Sequence, residues 1–255
     1  MKIGVALRLI PDLGEEIEFD DRHTSIDLDA TDLKLNEFDD YALVEAILLA
    51  EATGAEVIAL AAAVDGADRM LRTALARGAH RAVRIEMEPV ATSLSARAFA
   101  PACAEAARAL GLDLLLTGVQ SADDLHGPLT GYLGAELGWP FAGAIAGVRI
   151  EGNRVIARQE YSGGRASDLS LALPAVLGIQ APSRPMRYVS GSRIREMMKA
   201  PLESLRATAN AVPMGRVVAL DEPRSQSRAR MFDGDATAIA RSVLGVLADR
   251  GHIKV

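Results

Sequence analysis

The chain has 255 residues and 49% of them are hydrophobic, enough for one large domain or a domain with an appendage. A net charge of −6 makes no electrostatic case for nucleic acid or an anionic membrane, and 4% aromatic residues leave few platforms for stacking bases. Cys103 is the only cysteine, which excludes an intrachain disulfide and a cysteine metal cluster. The histidines, His23, His80, His126 and His252, are scattered and do not group as metal ligands. There is no Gly-x-Ser-x-Gly elbow, no Walker loop and no apolar stretch long enough to insert into a membrane.

Lys2 to Leu9 reads as a first strand. The chain enters it at once, without the apolar region of a signal peptide, so a cytoplasmic, reducing location is expected. Pro11 to Leu35 is polar and irregular, with a turn signal at Asp20-Asp21 and a short strand expected over Ser25 to Leu28. A connection of that length is often functional. Asn36 to Asp40 opens a helix with Asn36 or Asp39 as N-cap, Leu43, Ala46, Ile47 and Ala50 as its apolar face, and Gly54 as its stop. Glu56 to Ala63 is a second strand. Asp65-Gly66 then starts a helix that Gly78 ends, and Arg81 to Ile85 is a third strand. Ser93 to Leu110 has a helical pattern that Pro101 is expected to kink or divide, with Cys103 as a small buried side chain.

The stretch from Leu112 to Pro140 organises the rest. Leu112 to Leu116 suits a buried parallel strand, Gly118 to Gly127 is a polar loop, and Pro128 is favoured as a first helical residue. Leu129, Leu133 and Leu137 then lay one helix face on a core. Backbone N–H groups at such a corner can meet an anion. The plainer reading is an ordinary corner, with Asp123 and Asp124 favoured by the helix dipole, and on the pattern alone it leads. These carboxylates would repel a close phosphate, yet they can accept hydrogen bonds from ribose hydroxyls.

Alternation of strand and helix implies a doubly wound parallel sheet, with Ala6 to Pro11, Ala61 to Asp65 and Gly118 to Gly127 at one edge. From Pro140 the texture changes. Gly143 to Ile150 and Arg154 to Tyr161 read as a hairpin, and Ser167 to Ile179 follows as part of an antiparallel extension. Within Tyr188 to Ala200, Ile194, Met197 and Met198 have helical spacing, and either cover the core or offer an adaptable contact. Leu220 to Asp233 looks like a linker to a last helix, Ala236 to Arg250, whose apolar face carries Ile239, Val243, Val246 and Leu247. That face folds back on its own chain or clasps a second one.

Several stretches together carry a family resemblance: Asn36-Glu37-Phe38-Asp39-Asp40, Arg72 to Ala79, Gly118-Val119-Gln120-Ser121-Ala122-Asp123-Asp124, Leu137-Gly138-Trp139-Pro140, Leu173-Pro174-Ala175-Val176, Arg187-Tyr188 and Met198-Lys199-Ala200-Pro201. In this order the chain resembles the β subunit of electron transfer flavoproteins, a family that includes the FixA-type proteins. The resemblance runs from about Met1 to Leu205. It implies an adenine-nucleotide-binding α/β sheet over residues 1–220, with a recognition loop at about 186–200, and a linker and C-terminal helical arm over 221–255. It also implies a heterodimer whose α subunit carries the redox FAD. The β subunit is then an electron-carrier subunit without bond chemistry of its own, docking to flavin-containing dehydrogenases and passing electrons to a downstream oxidoreductase.

The nucleotide position, for AMP or a second flavin, maps onto Ala6, Asn36, Ala61, Gly118, Gln120, Asp123, Asp124, Gly127, Pro128 and Leu129. Leu13, where the family commonly has an aromatic residue, and Phe38 correspond to family residues near the flavin, and Gly191, Ile194, Met197 and Met198 map onto the recognition loop. The chain departs from the family at the phosphate: Leu129 lacks the usual hydroxyl and Pro128 has no N–H to donate. Ala63-Val64 replaces a common Gly-Pro, and the recognition loop is longer by two residues. AMP, a second FAD and an empty pocket therefore all stay open. A stand-alone, stress-type nucleotide-binding protein of the same fold is the alternative. A nucleotide-dependent enzyme has only Asp123, Asp124 and His126 to draw on, with no nucleophile.

Overall fold

Short runs of Val, Ile, Leu and Ala become strands buried on both faces, because a sheet covered by helices on each side needs no polar alternation. The computed structural model describes residues 1–15, 17–28, 30–87, 95–124, 129–185, 188–208, 217–222 and 229–254. It divides into two units, Met1–Ala219 and Leu220–Val255.

The first unit is built on one nine-stranded sheet. Its strands are β1 (Lys2–Ala6), β4 (Glu56–Ala62), β5 (Arg81–Glu86), β6 (Leu114–Gly118), β7 (Phe141–Glu151), β8 (Arg154–Tyr161), β9 (Arg165–Ala172), β10 (Ala175–Ile179) and β11 (Glu203–Arg206). They lie in the order β11-β5-β4-β1-β6-β10-β7-β8-β9. Pairing is parallel from β11 to β7 and antiparallel from β7 to β9. The helices are α1 (Glu37–Thr53), α2 (Ala67–Arg77), α3 (Ala96–Leu110), α4 (Leu129–Leu137) and α5 (Gly191–Met197). Residues of α1 and α2 join one core layer with Ile3, Val5 and Val57, and those of α3 and α4 join a second with Ile58, Leu60 and Leu115. This is the doubly wound sheet with an antiparallel extension that the sequence implies.

Several expectations change. The first strand stops at Ala6, and Leu9–Pro11 (β2) instead pairs antiparallel with Leu33–Leu35 (β3). The strand expected over Ser25 to Leu28 is reduced to a single bridge between Phe19 and Ile26. Ser95, whose Oγ accepts from Ala98 N at 3.2 Å, caps α3, and the helix runs through Pro101 undivided. The run from Ser167 to Ile179 is two strands. β9 ends the antiparallel ladder, and β10, buried at every residue, returns to the parallel sheet between β6 and β7. Strand β11 has too few apolar residues to read as a strand. It is held to the far edge by Arg81, whose Nε and Nη2 each donate to Glu203 at 2.7 Å.

The change from parallel to antiparallel pairing happens at a bulge in β7, where the ladder to β8 shifts between Ile145 and Val148. Bulges bend a strand and leave backbone groups to be satisfied otherwise. Glu45, 1% exposed on α1, meets them: its Oε1 accepts from Val148 N at 2.8 Å and its Oε2 from Ser183 N at 2.7 Å.

The second unit contains α6 (Ala236–Asp249), capped by Asp235, whose Oδ1 accepts from Ala238 N at 2.8 Å. None of its residues is buried, and Ile239, Val243 and Leu244 are exposed.

Glu45→Ala strands two amides at the bulge and is expected to lower stability by about 3 kcal/mol. Urea unfolding followed by circular dichroism reads the change, and Glu45→Gln loses less because one acceptor remains.

Candidate functional site

In the sheet order, the chain moves from β1 outward to β4 and β5, then returns to place β6 on the other side of β1. Helices therefore leave β1 and β6 on opposite faces, and a crevice opens beyond their carboxyl ends. Such switch points are where open α/β sheets bind ligands.

The first turn of α1 drives Asp39 into this crevice, where it is 0% exposed. Its Oδ1 accepts from Gly118 N at 2.9 Å, and its Oδ2 accepts from Arg8 N at 3.0 Å and Arg8 Nε at 3.4 Å. One carboxylate thus ties the end of β6 to the segment leaving β1. Burial pushes the Asp39 carboxyl up, opposed by the Arg8 charge, the Asn36 side chain and the two amides. The tie needs glycine at 118, since a Cβ there would lie 2.5 Å from Asp39 Oδ1 and 2.7 Å from Asp39 N. Asn36 takes the N-cap position of α1, but neither it nor Asp39 caps by side chain as expected. Asn36 Nδ2 instead donates to Gln120 O at 2.9 Å, and Asn36 N to Arg8 O at 3.0 Å.

The edge therefore brings together Ala6, Asn36, Ala61, Gly118 and Gln120 at the ends of β1, β4 and β6 and the start of α1. Phe38 is half-buried there, edge-on to Tyr41 with ring centroids 5.9 Å apart. Leu13 is exposed in the turn after β2. Asp123 is exposed, whereas Asp124 Oδ2 accepts from Ala96 N at 2.8 Å and so serves the start of α3. Leu129 is 1% exposed and packs in the core with Leu133, held in place by the neighbouring pair Thr130 Oγ1 and Thr117 Oγ1 at 2.8 Å. Gly127 and Pro128 lie outside the described residues.

Two residues of this edge escape motif reading. Asp39 looks like a cap, and Arg8 looks like the end of a strand. The signal for Arg8 is a charge inside an otherwise apolar run, Val5-Ala6-Leu7-Arg8-Leu9-Ile10. Cys103 lies within reach of the same charges. Burial, with the Asp39 charge adding to it, pushes its thiol up to about 12.

A second feature lies away from the edge. Between β10 and β11 the chain must pass four strands, β6, β1, β4 and β5, and it does so as a strap over α1 and α2. The strap carries α5, capped by Ser190, whose Oγ accepts from Arg193 N at 3.3 Å. Arg72 on α2 pins its far end, donating from Nε to Ala200 O at 3.2 Å. Gly191 is exposed and Ile194, Met197 and Met198 are half-buried, while Tyr188 is 92% exposed. A cavity of about 310 Å³ lies beneath, lined by Ile47, Leu48, Arg77, Tyr188 and Val189 among others.

Comparison with known proteins gives this arrangement its context. The family model described as electron transfer flavoprotein domain matches residues 25–210, which include α1, the Gly118 loop and the strap. The electron transfer flavoprotein subunit beta of Methylophilus methylotrophus is 30% identical, over 97% of this chain and 98% of that protein. The chain belongs to the electron transfer flavoprotein β-subunit family. The human electron transfer flavoprotein subunit beta is 28% identical, over 81% of each chain. A probable β subunit from Schizosaccharomyces pombe is 32% identical, over 70% of each. The family is one of flavoproteins, as its description states. Among the described residues, no helix of this β subunit is long and apolar enough to cross a membrane.

The edge also holds buried polar atoms that the described residues leave unpaired. Arg8 Nη1, Arg8 Nη2 and Ser121 Oγ are buried there without a hydrogen-bond partner among the described residues.

Gly118→Ala should destabilise the fold by about 2 kcal/mol, because the methyl group meets backbone as well as the Asp39 side chain. Thermal unfolding measures this. Cys103 should resist iodoacetamide at about pH 8 in the native protein and react fully once unfolded, as intact-mass spectrometry would show.

Proposed function

We propose that this chain is the β half of a heterodimeric electron carrier. It supports an FAD-bearing α subunit and presents its strap to flavin-containing dehydrogenases, whose electrons pass on to a downstream oxidoreductase. The observation that carries this reading is the likeness to a β subunit across 97% of the chain. The FAD of the partner supplies the redox chemistry, and the residues of this chain bind, orient and dock.

The switch-point edge is the proposed nucleotide site. Ala6 and Ala61 leave its floor low, and Asn36 holds the Gln120 carbonyl in place. Exposed Asp123 is free to accept from ribose hydroxyls, while Asp124 is engaged with α3. The strap is the proposed recognition surface, with Ile194, Met197 and Met198 as an adaptable contact backed by α2. The exposed apolar residues Ile239, Val243 and Leu244 suit α6 to an arm on the α subunit, reached through the polar linker. The setting is the reducing cytoplasm, in keeping with a single buried cysteine.

The test is to co-produce the chain with its α partner, purify the complex, denature it and count released FAD and AMP. One FAD with one AMP per heterodimer is the expected result. Two FAD would assign the edge to a second flavin, and failure to form any complex would overturn the reading. The double substitution Met197→Ala, Met198→Ala should slow flavin reduction by the cognate dehydrogenase about tenfold with the flavin retained. Stopped-flow absorbance measures it, and unchanged kinetics would remove the strap from recognition.

A further inference from the structure

Charge is unevenly placed on this chain. Its net charge is −6, yet from Arg184 to Ala200 the strap carries Arg184, Arg187, Arg193, Arg195 and Lys199 against one acid, Glu196. Arg187 lies outside the described residues. Arg193 is balanced: its Nη1 pairs with Glu196 Oε2 at 3.0 Å within α5. Arg184, Arg195 and Lys199 are exposed and make no ion pair among the described residues. The acids of the neighbouring elements are already spent. Asp68 on α2 is taken by Arg72 at 3.5 Å and Arg84 at 3.2 Å, and Glu203 on β11 by two nitrogens of Arg81 at 2.7 Å each. Asp40 on α1 pairs with Arg77, and Glu51 is also engaged. The strap is tied at Ser183 N by Glu45 and at Ala200 O by Arg72, and its cations flank the half-buried Ile194, Met197 and Met198.

The acids are concentrated elsewhere. The connection from Pro11 to Leu35 holds nine of them against Arg22 and Lys34. Its ends, β2 and β3, lie beside α2, where Leu9, Leu33 and Leu35 line a cavity with Arg69 and Arg77. An extended polyanion such as nucleic acid or a lipid surface would meet that repulsion as well as the strap, so the patch suits the compact acidic face of a protein. We propose that the strap docks to a dehydrogenase whose contact face is acidic around an apolar recess. Arg184, Arg195 and Lys199 steer the encounter, and Ile194, Met197 and Met198 fill the recess. The inference rests on the strap reading given above and adds the chemistry of the partner. Complementary exposed charges act mainly on the association rate, and salt screens them.

The test uses the purified heterodimer, with the flavin-containing dehydrogenase from the same organism that reduces it fastest as the probe. Stopped-flow absorbance gives the second-order rate constant for flavin reduction across a salt series. The constant should fall about tenfold between about 20 mM and about 300 mM sodium chloride. Arg195→Gln with Lys199→Gln should lower it about tenfold at low salt, flatten the salt dependence and leave the rate at saturating dehydrogenase unchanged. Arg108→Gln with Arg158→Gln removes the same charge from α3, on the other face of the sheet, and from β8, and should change the constant less than about twofold. All four side chains are exposed, so the fold holds, as a circular dichroism melt would verify. If salt and the strap substitutions leave the constant unchanged, or if the remote pair lowers it equally, this inference falls. Slowing by Met197→Ala, Met198→Ala would then still keep the strap as the recognition surface. A constant that rises with salt assigns the strap a basic partner and overturns the proposal. If no dehydrogenase reduces the heterodimer, or if neither the charge pair nor the methionine pair alters reduction, the strap reading falls and this inference falls with it.

Discussion

The carboxylate of Asp39 holds together the place where the sheet changes direction. Beyond β1 and β6 the helices diverge to opposite faces, so the two strand ends have no shared covering element. A buried carboxylate accepting from the amides of both Arg8 and Gly118 supplies one. Several sequence features follow from it. Residue 118 must be glycine, because the carboxylate and the turn behind it occupy the space of a side chain. Arg8 must balance the charge, because an isolated carboxylate at that depth would protonate instead. Asn36 must turn away from capping to hold the Gln120 carbonyl, and so fixes where the β6 loop begins.

The same helix carries a second buried acid that does comparable work elsewhere. Asp39 serves the carboxyl edge, and Glu45 serves the β7 bulge and the start of the strap at Ser183. Both accept from buried or half-buried backbone amides that lack a ladder partner, and charge-assisted bonds of this kind are stronger than neutral ones. An all-apolar α1 would pack against the sheet as well, but it would leave the switch point and the bulge with unpaired N–H groups. The buried polar atoms of α1 are therefore where the general fold becomes this particular one.

Much of this was legible in the sequence. Strands β1, β4, β5 and β6 announce themselves as apolar runs between turn signals, and α1 and α2 end at the expected glycines, Gly54 and Gly78. The edge that gathers Ala6, Ala61 and Gly118 follows from strand–helix alternation alone. What was hidden depends on distant partners. β9 alternates up to Pro174 and β10 follows as an apolar continuation of the same run, and only the placement of β10 between β6 and β7 shows that it is parallel. β11 is polar, and its pairing is decided by Arg81 and Glu203, 122 residues apart. Asp39 sits in a motif that looks like a cap, because a local pattern cannot show that its partners are Arg8 and Gly118. The loss of a hydroxyl at Leu129 is visible as a letter, but its meaning appears only when Leu129 is seen inside the core.

The proposed nucleotide edge and the proposed recognition strap are not independent decorations. The first turn of α1 builds the edge through Asp39, and residues further along the same helix, Ile47 and Leu48, floor the cavity under the strap. Glu45 lies between them in sequence and tethers the strap where it leaves the sheet, while Arg72 pins it at the other end. These half-buried bonds fasten the strap at both ends to the helices beneath it. An electron carrier has reason to be built this way. If a partner docks on the strap while a cofactor site is held at the edge, one helix, α1, spans the distance between them.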